Sequence, residues 1–297
     1  MKKSAAKTYH KKPKILRRRQ PNRSRGGDIC IYIFLAVMSL IMVAPLVFAI
    51  NQSLKPMDEL FRFPPTFFAK NPTFDNFTDL FVSMNKSTVP FSRYIFNTLF
   101  TTAVGTAGHL LIGSMAAFVL AKYNFPGSRF FFGVVVTALM FTGSILMIPN
   151  YLIMNSLGWI DSLLAIIVPA FASPMGVFLM KQFMEGLPTA LIEAAKVDGA
   201  TEWYVFTRIV MPNVKPAWLT MIIFSVQSLW NNPASVYIYS EEKKALVYAL
   251  SQVSLGGVAR TGQAAAVSVV TMIVPILLFI ISESQILETM ASSGIKD

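Results

Sequence analysis

The sequence predicts an all-α membrane protein with six transmembrane helices, and three observations predict it. Of the 297 residues, 54% are hydrophobic and only 14% charged, whereas soluble domains are about a quarter charged. Apolar runs near the length needed to cross a bilayer, about 20 residues, recur along the chain. The positive charge is concentrated at one end. Residues 1–28 hold eleven Lys and Arg against one acid, Asp28, so nearly all of the net charge of +11 lies directly before the first apolar run. Such a flank stays cytoplasmic under the positive-inside rule. Its expected partner is the anionic lipid of the bilayer, not nucleic acid.

The first apolar run, residues 29–50, is too long for a signal-peptide core and no small-residue cleavage site follows it. It reads as a retained helix. The further spans are expected at 94–121, 130–151, 163–180, 217–230 with flanks, and 263–282. The chain therefore divides into a basic tail (1–28), a first helix (29–51), an external segment (52–93), a helical core (94–284) and a short tail (285–297). With the N-terminus inside, six spans return the C-terminus to the same side. The connection bearing Lys122 and Arg129 and the segment 181–215 then face the cytoplasm, and 52–93 and 231–262 face outward.

Composition also excludes. A single cysteine, Cys30, leaves no disulfide framework and no cysteine zinc site. There is no G-x-x-x-x-G-K-[ST] sequence, and the glycine-rich stretch 105–113 contains no Lys. The chain itself is therefore expected to hold no nucleotide and to be no enzyme. No Asp or Glu falls in the middle of a span, which argues against an ion-coupled carrier. His109 is the clearest ionisable group within a span, either a functional group or a neutral, hydrogen-bonded packing residue.

The spans are irregular. Pro149, Pro169, Pro174 and Pro275 fall within or at the ends of helices, where each removes a backbone donor. Small residues crowd 105–113 and 264–268 and permit close helix approach. Outside the spans, Pro64, Pro65, Phe67 and Phe68 suggest an interfacial anchor, and residues 75–81 a short amphipathic helix. Segment 231–262 is polar and rich in turn formers, and reads as an exposed connection or a docking surface.

The segment 181–216 is long and mildly amphipathic. Pro188 suits the first turn of a helix and Gly199 its stop. Leu191, Ile192 and Ala195 make an apolar face. Glu193 and Lys196, three residues apart, can meet on another. Thr201 caps a second helix through Ile209, which Pro212 ends. Glu193, Ala194 and Ala195 are followed after three residues by Gly199, and nine residues later come Ile209, Val210, Met211 and Pro212.

This spacing resembles the EAA motif of binding-protein-dependent ABC importer permeases. The one departure is Met211 in place of the usual Leu, a swap that keeps volume and apolarity. Residues 63–77, 93–102, 157–188 and 286–297 are similar to the sugar-importer branch, of the maltose-type second permease. The resemblance implies a type I (MetI-like) core made of spans two to six, with loop 185–212 docking on a separate ATPase. Glu193 would anchor it, Ala194 and Ala195 allow close approach, Gly199 make the bend, and Asp198 cap or pair locally. The implied partners are a second homologous permease, two ATPase subunits that bind ATP and Mg, and an extracytoplasmic solute-binding protein. Cargo contacts, if this chain makes them, are expected at Gln227, Trp230 and Asn231 near the end of span five, and at Asn150 and Asn155 near span three. These are also ordinary residues at a membrane interface. A polyamine or other small solute, or an ATP-independent carrier, are the alternative readings.

Overall fold

The structure, a computed structural model, describes residues 25–85, 89–141, 143–233, 236–257 and 260–293, with side chains from 26 to 283. Most of the basic tail and the end of the C-terminal tail lie outside these residues. The described residues form helices and no strand. In order these are α1 (Arg25–Leu54), α2 (Met57–Leu60), α3 (Asp75–Asn85), α4 (Phe91–Lys122), α5 (Ser128–Ala138), α6 (Gly143–Ser156), α7 (Leu164–Phe171), α8 (Pro174–Glu185), α9 (Thr189–Val197), α10 (Glu202–Tyr204), a π-helical stretch (Val205–Val210), α11 (Met211–Asn213), α12 (Lys215–Trp230), a short 3₁₀ turn (Glu241–Lys243), α13 (Leu246–Ser254) and α14 (Thr261–Ser293).

The chain divides into two units, residues 1–47 and 48–297. The first contains most of α1, a helix with Leu40, Ile41 and Met42 exposed in succession. A helix that is apolar all round suits a lipid or protein environment on every side.

The second unit is a bundle in which α4 packs against α7, α8, α12 and α13. Glycines on α4 set the distances. A Cβ on Gly105 would come within 2.7 Å of Leu229 on α12, and one on Gly108 within 2.1 Å of the Phe171 ring on α7. Such close approach is how helices associate in lipid, where no hydrophobic force drives them together.

Four helical stretches are long and apolar enough to cross a membrane: Gly26–Leu54, Phe91–Lys122, Leu164–Glu185 and Thr261–Glu283. The other two expected spans are not single straight helices. The third is divided between α5 and α6, which are bent by 112°, and the fifth, α12, meets the helical segment Glu202–Asn213 at 84°. α12 has 16 residues, about 24 Å at a rise of about 1.5 Å per residue. The fourth span is interrupted at Ala172 and Ser173, just where Pro174 opens α8.

The two segments expected to be external are more structured than the sequence suggests. Residues 75–81 are helical as expected, and the helix continues to Asn85. Asn76 donates to the carbonyls of Ser53 (2.9 Å) and Lys55 (2.7 Å). The Glu59 carboxylate accepts from the backbone N–H groups of Lys70 (2.9 Å) and Asn71 (3.0 Å). Segment 231–262 is not simply an exposed connection. Its helix α13 buries Leu246, Ala249, Leu250 and Val253 against Leu80, Met84 and Tyr94, because one face of α13 is continuously apolar. Asn97 on α4 donates to the carbonyls of Glu242 (2.8 Å) and Lys244 (3.0 Å).

Asp161 latches this segment to the connection between α6 and α7. It adopts φ +59, and its carboxylate accepts from the N–H groups of Tyr239 (3.1 Å) and Ser240 (2.9 Å), from the Ser240 hydroxyl and from Lys243 Nζ (3.2 Å). The Ser240 hydroxyl and N–H, with Lys243, hold this carboxyl well below the usual carboxylate range. An acid depressed in this way contributes stability that is fully present above its unfolded value and lost only as pH falls through the lower, folded one.

Two predictions follow from this packing. Gly108→Ala should lower the thermal midpoint of the purified protein by overpacking, a cost of about 1–3 kcal/mol. Gly133→Ala, with nothing within 4 Å of the added atom, should leave it nearly unchanged. Asp161→Ala should speed amide hydrogen exchange at Tyr239 and Ser240 several-fold. In the unsubstituted protein that protection, corrected for intrinsic exchange, should persist as pH is lowered from 7 to the ordinary Asp range.

Candidate functional site

The loop between α8 and α12 is built from short-range instructions. Pro188 takes the position just before α9, with φ −60 and ψ 129, one residue earlier than the first turn. Gly199 adopts φ +82, a conformation that costs a residue with a Cβ about 1–2 kcal/mol. Around it Gly199 N donates to the Lys196 carbonyl (3.0 Å) and Ala200 N to the Ala195 carbonyl (2.9 Å), closing the helix end. The Thr201 hydroxyl accepts from Tyr204 N at 3.3 Å and caps the next helix.

The second helix does not stop at Pro212. A π-helical stretch over Val205–Val210 leads into α11, with Pro212 in its first turn, and the chain bends at Val214, φ −107 and ψ 25. The fixed φ of Pro212 is helical, and its missing N–H falls directly after backbone that has already left the α-helical hydrogen-bond pattern. The chain therefore passes through Pro212 and turns two residues later.

One side of this loop belongs to the core. Ile192, Val205, Phe206 and Val210 are buried with Ala117 and Phe118 of α4, Met180 and Met184 of α8, and Val214, Ala217 and Met221. The other side is open. Glu193, Ala194, Asp198, Gly199 and Pro212 are exposed, and Ala195 and Ile209 half-buried. Large apolar side chains stand beside them: Leu191, Val197, Trp203 and Tyr204 are exposed. Asp198, Gly199, Thr201, Tyr204, Arg208 and Ile209 line a hollow of about 600 Å³ on this side.

Glu193 and Lys196 do not pair. Lys196 turns instead to Glu202, with 2.6 Å between Nζ and Oε1, because the bend at Gly199 brings the start of the second helix back beside the end of the first. Tyr123 completes the cluster: its hydroxyl donates to Glu202 and accepts from Lys196 Nζ (3.3 Å). These contacts, Glu202 first, hold Lys196 protonated above the usual lysine range. Lys122 Nζ donates to the Leu187 carbonyl at 2.6 Å. Lys122, the last residue of α4, and Tyr123, the next residue, thus tie the loop at its start and at its central bend. Sequence reading missed Tyr123; the only trace was that Lys122, its neighbour, was placed on the same side of the membrane as the loop.

The residues singled out for cargo contacts lie on two different helices. Asn150 is half-buried and Asn155 exposed, both on α6. Gln227 and Asn231 are exposed at the end of α12, and Asn231 Nδ2 donates to the Gln227 carbonyl at 2.9 Å. Trp230 is only 5% exposed, and its indole N–H donates to the Thr271 carbonyl at 3.1 Å. It is a packing residue between α12 and α14.

Residues 109–289 match the family described as binding-protein-dependent transport system inner membrane component. Protein LplC of Bacillus subtilis is 34% identical over 238 residues, which are 78% of this chain and 77% of that protein. The arabinooligosaccharides transport system permease protein AraQ of the same organism is 34% identical over 206 residues, 69% of this chain and 72% of AraQ. The fold is shared with the crystal structure of a bacterial ABC transporter involved in the import of the acidic polysaccharide alginate, with a TM-score of 0.75 at 22% identity, over 89% of this chain and 99% of that chain. The family match runs from the middle of α4 into α14 and takes in the whole loop, so this chain belongs to the binding-protein-dependent transport system inner membrane components, multi-pass membrane subunits of ABC transporters.

Proposed function

We propose that the chain is the permease subunit of an ATP-driven importer for a sugar or oligosaccharide, and that loop 185–212 is where a separate ATPase drives it. The observation that carries the coupling role is the two-sidedness of the loop. Its inner face is part of the bundle core. On its outer face Glu193 is exposed and engages no side chain among the described residues, flanked by Leu191 and Val197. A carboxylate offered beside apolar side chains fits a protein groove holding a basic residue. For the cargo, support comes from AraQ, whose name gives arabinooligosaccharides, and from the alginate importer of the same fold.

In this reading α1, α4, α5 with α6, α7 with α8, α12 and α14 are the six spans. The basic tail and the loop face the cytoplasm. A second permease subunit completes the path, two ATPase subunits hold ATP and Mg, and an extracytoplasmic binding protein delivers the solute. Nucleotide binding closes the ATPase pair and moves the docked α9. The loop cannot yield alone, since its apolar residues are close-packed with α4, α8 and α12. Displacement therefore passes into those helices. The drive is the difference in stability of the two helix arrangements between nucleotide states of the ATPase.

Glu193→Ala should cut the affinity for the ATPase subunits about tenfold or more, the loss of one charge-assisted hydrogen bond. Gly199→Val should reduce co-purification of the ATPase and ATP-driven uptake together, by straining the bend. Normal assembly and uptake in both variants would contradict the coupling role. Uptake by the purified chain alone, driven by an ion gradient, would contradict the ATP-driven reading.

A further inference from the structure

The two halves of loop 185–212 are held to the bundle unequally. The second half buries Val205, Phe206 and Val210 in the core. In contrast, α9 buries one of its nine residues, Ile192, and packs chiefly on the π-helical stretch. Between the halves lies Gly199, with φ +82 and nothing within 4 Å of the place a Cβ would take. Glycine has the least restricted backbone of any residue, so packing alone determines the direction of α9 only weakly.

Three side chains span that point. Lys196 and Glu202 stand three residues to either side of Gly199, and their ion pair of 2.6 Å closes over the bend. Tyr123 holds both from a third side. Its hydroxyl donates to Glu202 and accepts from Lys196 Nζ (3.3 Å), which also lies 4.9 Å from the centre of the ring. Tyr123 is itself firmly seated. It directly follows α4, its N–H donates to the Val119 carbonyl at 3.1 Å, and its ring stands edge-on to Phe118 at 5.5 Å. Phe118 in turn lies 5.5 Å from Phe206. With Lys122 holding the Leu187 carbonyl just ahead of α9, the end of α4 grips α9 at its entry and at its exit.

Stability is not what this cluster supplies. The side chains of Lys196 and Glu202 are substantially exposed, and an exposed ion pair adds little to the stability of a fold. A small preference is nevertheless enough to select between arrangements of a short helix that differ little in energy. We propose that Tyr123 is a positioning residue for coupling: with Lys196 and Glu202 it locks the direction of α9 to α4, so that displacement of α9 by an ATPase moves α4 instead of opening the bend at Gly199. This rests on the reading of the loop as the place where an ATPase drives the chain.

The test places nitroxide labels at Ala190→Cys, on the exposed start of α9, and at Ile112→Cys, exposed on α4, in a Cys30→Ser background. Ala190 is at the end of α9 far from Gly199, where an opening bend moves a label most. Their separation is measured by pulsed electron resonance in the complete importer in lipid nanodiscs, without nucleotide and with ATP under conditions that prevent hydrolysis. In the importer carrying only the labels, one distance should dominate in both states, because α9 and α4 move together. Tyr123→Phe keeps the ring, and Glu202→Lys sets two like charges side by side. Each should raise the population of a second, ATP-dependent distance about two- to fivefold, the size of change an exposed charge network makes. Exchanging the pair, Lys196→Glu with Glu202→Lys, should restore the single distance. The thermal midpoint and the co-purification of the ATPase should be unchanged in Tyr123→Phe. A distance that shifts with ATP before any of the three is altered overturns the lock. So does a single unchanged distance in Tyr123→Phe and Glu202→Lys, or a second distance that persists when the pair is exchanged. A parallel fall in thermal midpoint assigns Tyr123 a packing role, and lost co-purification places it on the docking surface. Either overturns the positioning role and leaves the coupling loop standing. If the unsubstituted chain recovers no ATPase, the coupling reading falls and the lock with it.

Discussion

Close approach along α4 is the constraint that the rest of the structure is arranged around. In lipid, apolar side chains gain little by leaving their surroundings for each other, so helices associate through tight packing and hydrogen bonds. Gly105 and Gly108 admit Leu229 and Phe171, and a Cβ on Gly113 would come within 2.7 Å of Met221. These contacts bring α7 and α12 close to one helix, and α8 packs on it as well. The same helix is tied at both ends. Asn97 holds the carbonyls of Glu242 and Lys244 near its start, and Lys122 and Tyr123 hold the loop at its finish.

This arrangement separates stiff parts from yielding ones. The stiff part is the packed cluster of Phe118, Met180, Met184, Phe206, Val210 and Ala217, which joins the loop to three helices. The yielding points are places where the backbone leaves its helix: the interruption at Ala172–Ser173 and the bend at Val214. In the proposed coupling, a push on α9 would reach the packed helices as a rigid movement, with its angular change taken up at these points.

Much of this was legible in the sequence, for reasons that are local. Gly199 is recognisable because its position needs a positive φ, and Thr201 because a helix start needs a side-chain acceptor. The apolar runs marked α1, α4 and α14 to within a few residues at most of their ends. What composition does not register is the direction of the backbone: residues 130–151 are largely apolar and read as one run, and the small residues Gly143 and Ser144 at the start of α6 are too weak a signal to mark the division from α5. The pairing of Lys196 was misjudged because Glu193 lies at suitable helical spacing, whereas Glu202 comes near only once the Gly199 turn has formed. Tyr123 and Asp161 were missed because each has partners 79 residues away. Trp230 looked like an interface residue, and only the packing of α14 beside it reveals its burial.

The central claim is that the outer face of loop 185–212 lies in the cytoplasm against an ATPase subunit. The most direct measurement replaces the single cysteine, Cys30→Ser, introduces Ala194→Cys, and labels it with a membrane-impermeant maleimide. The account predicts labelling in inverted vesicles stripped of the ATPase, little labelling in intact cells, and protection when the ATPase is added back. Labelling from outside intact cells, or labelling indifferent to the ATPase, would contradict it.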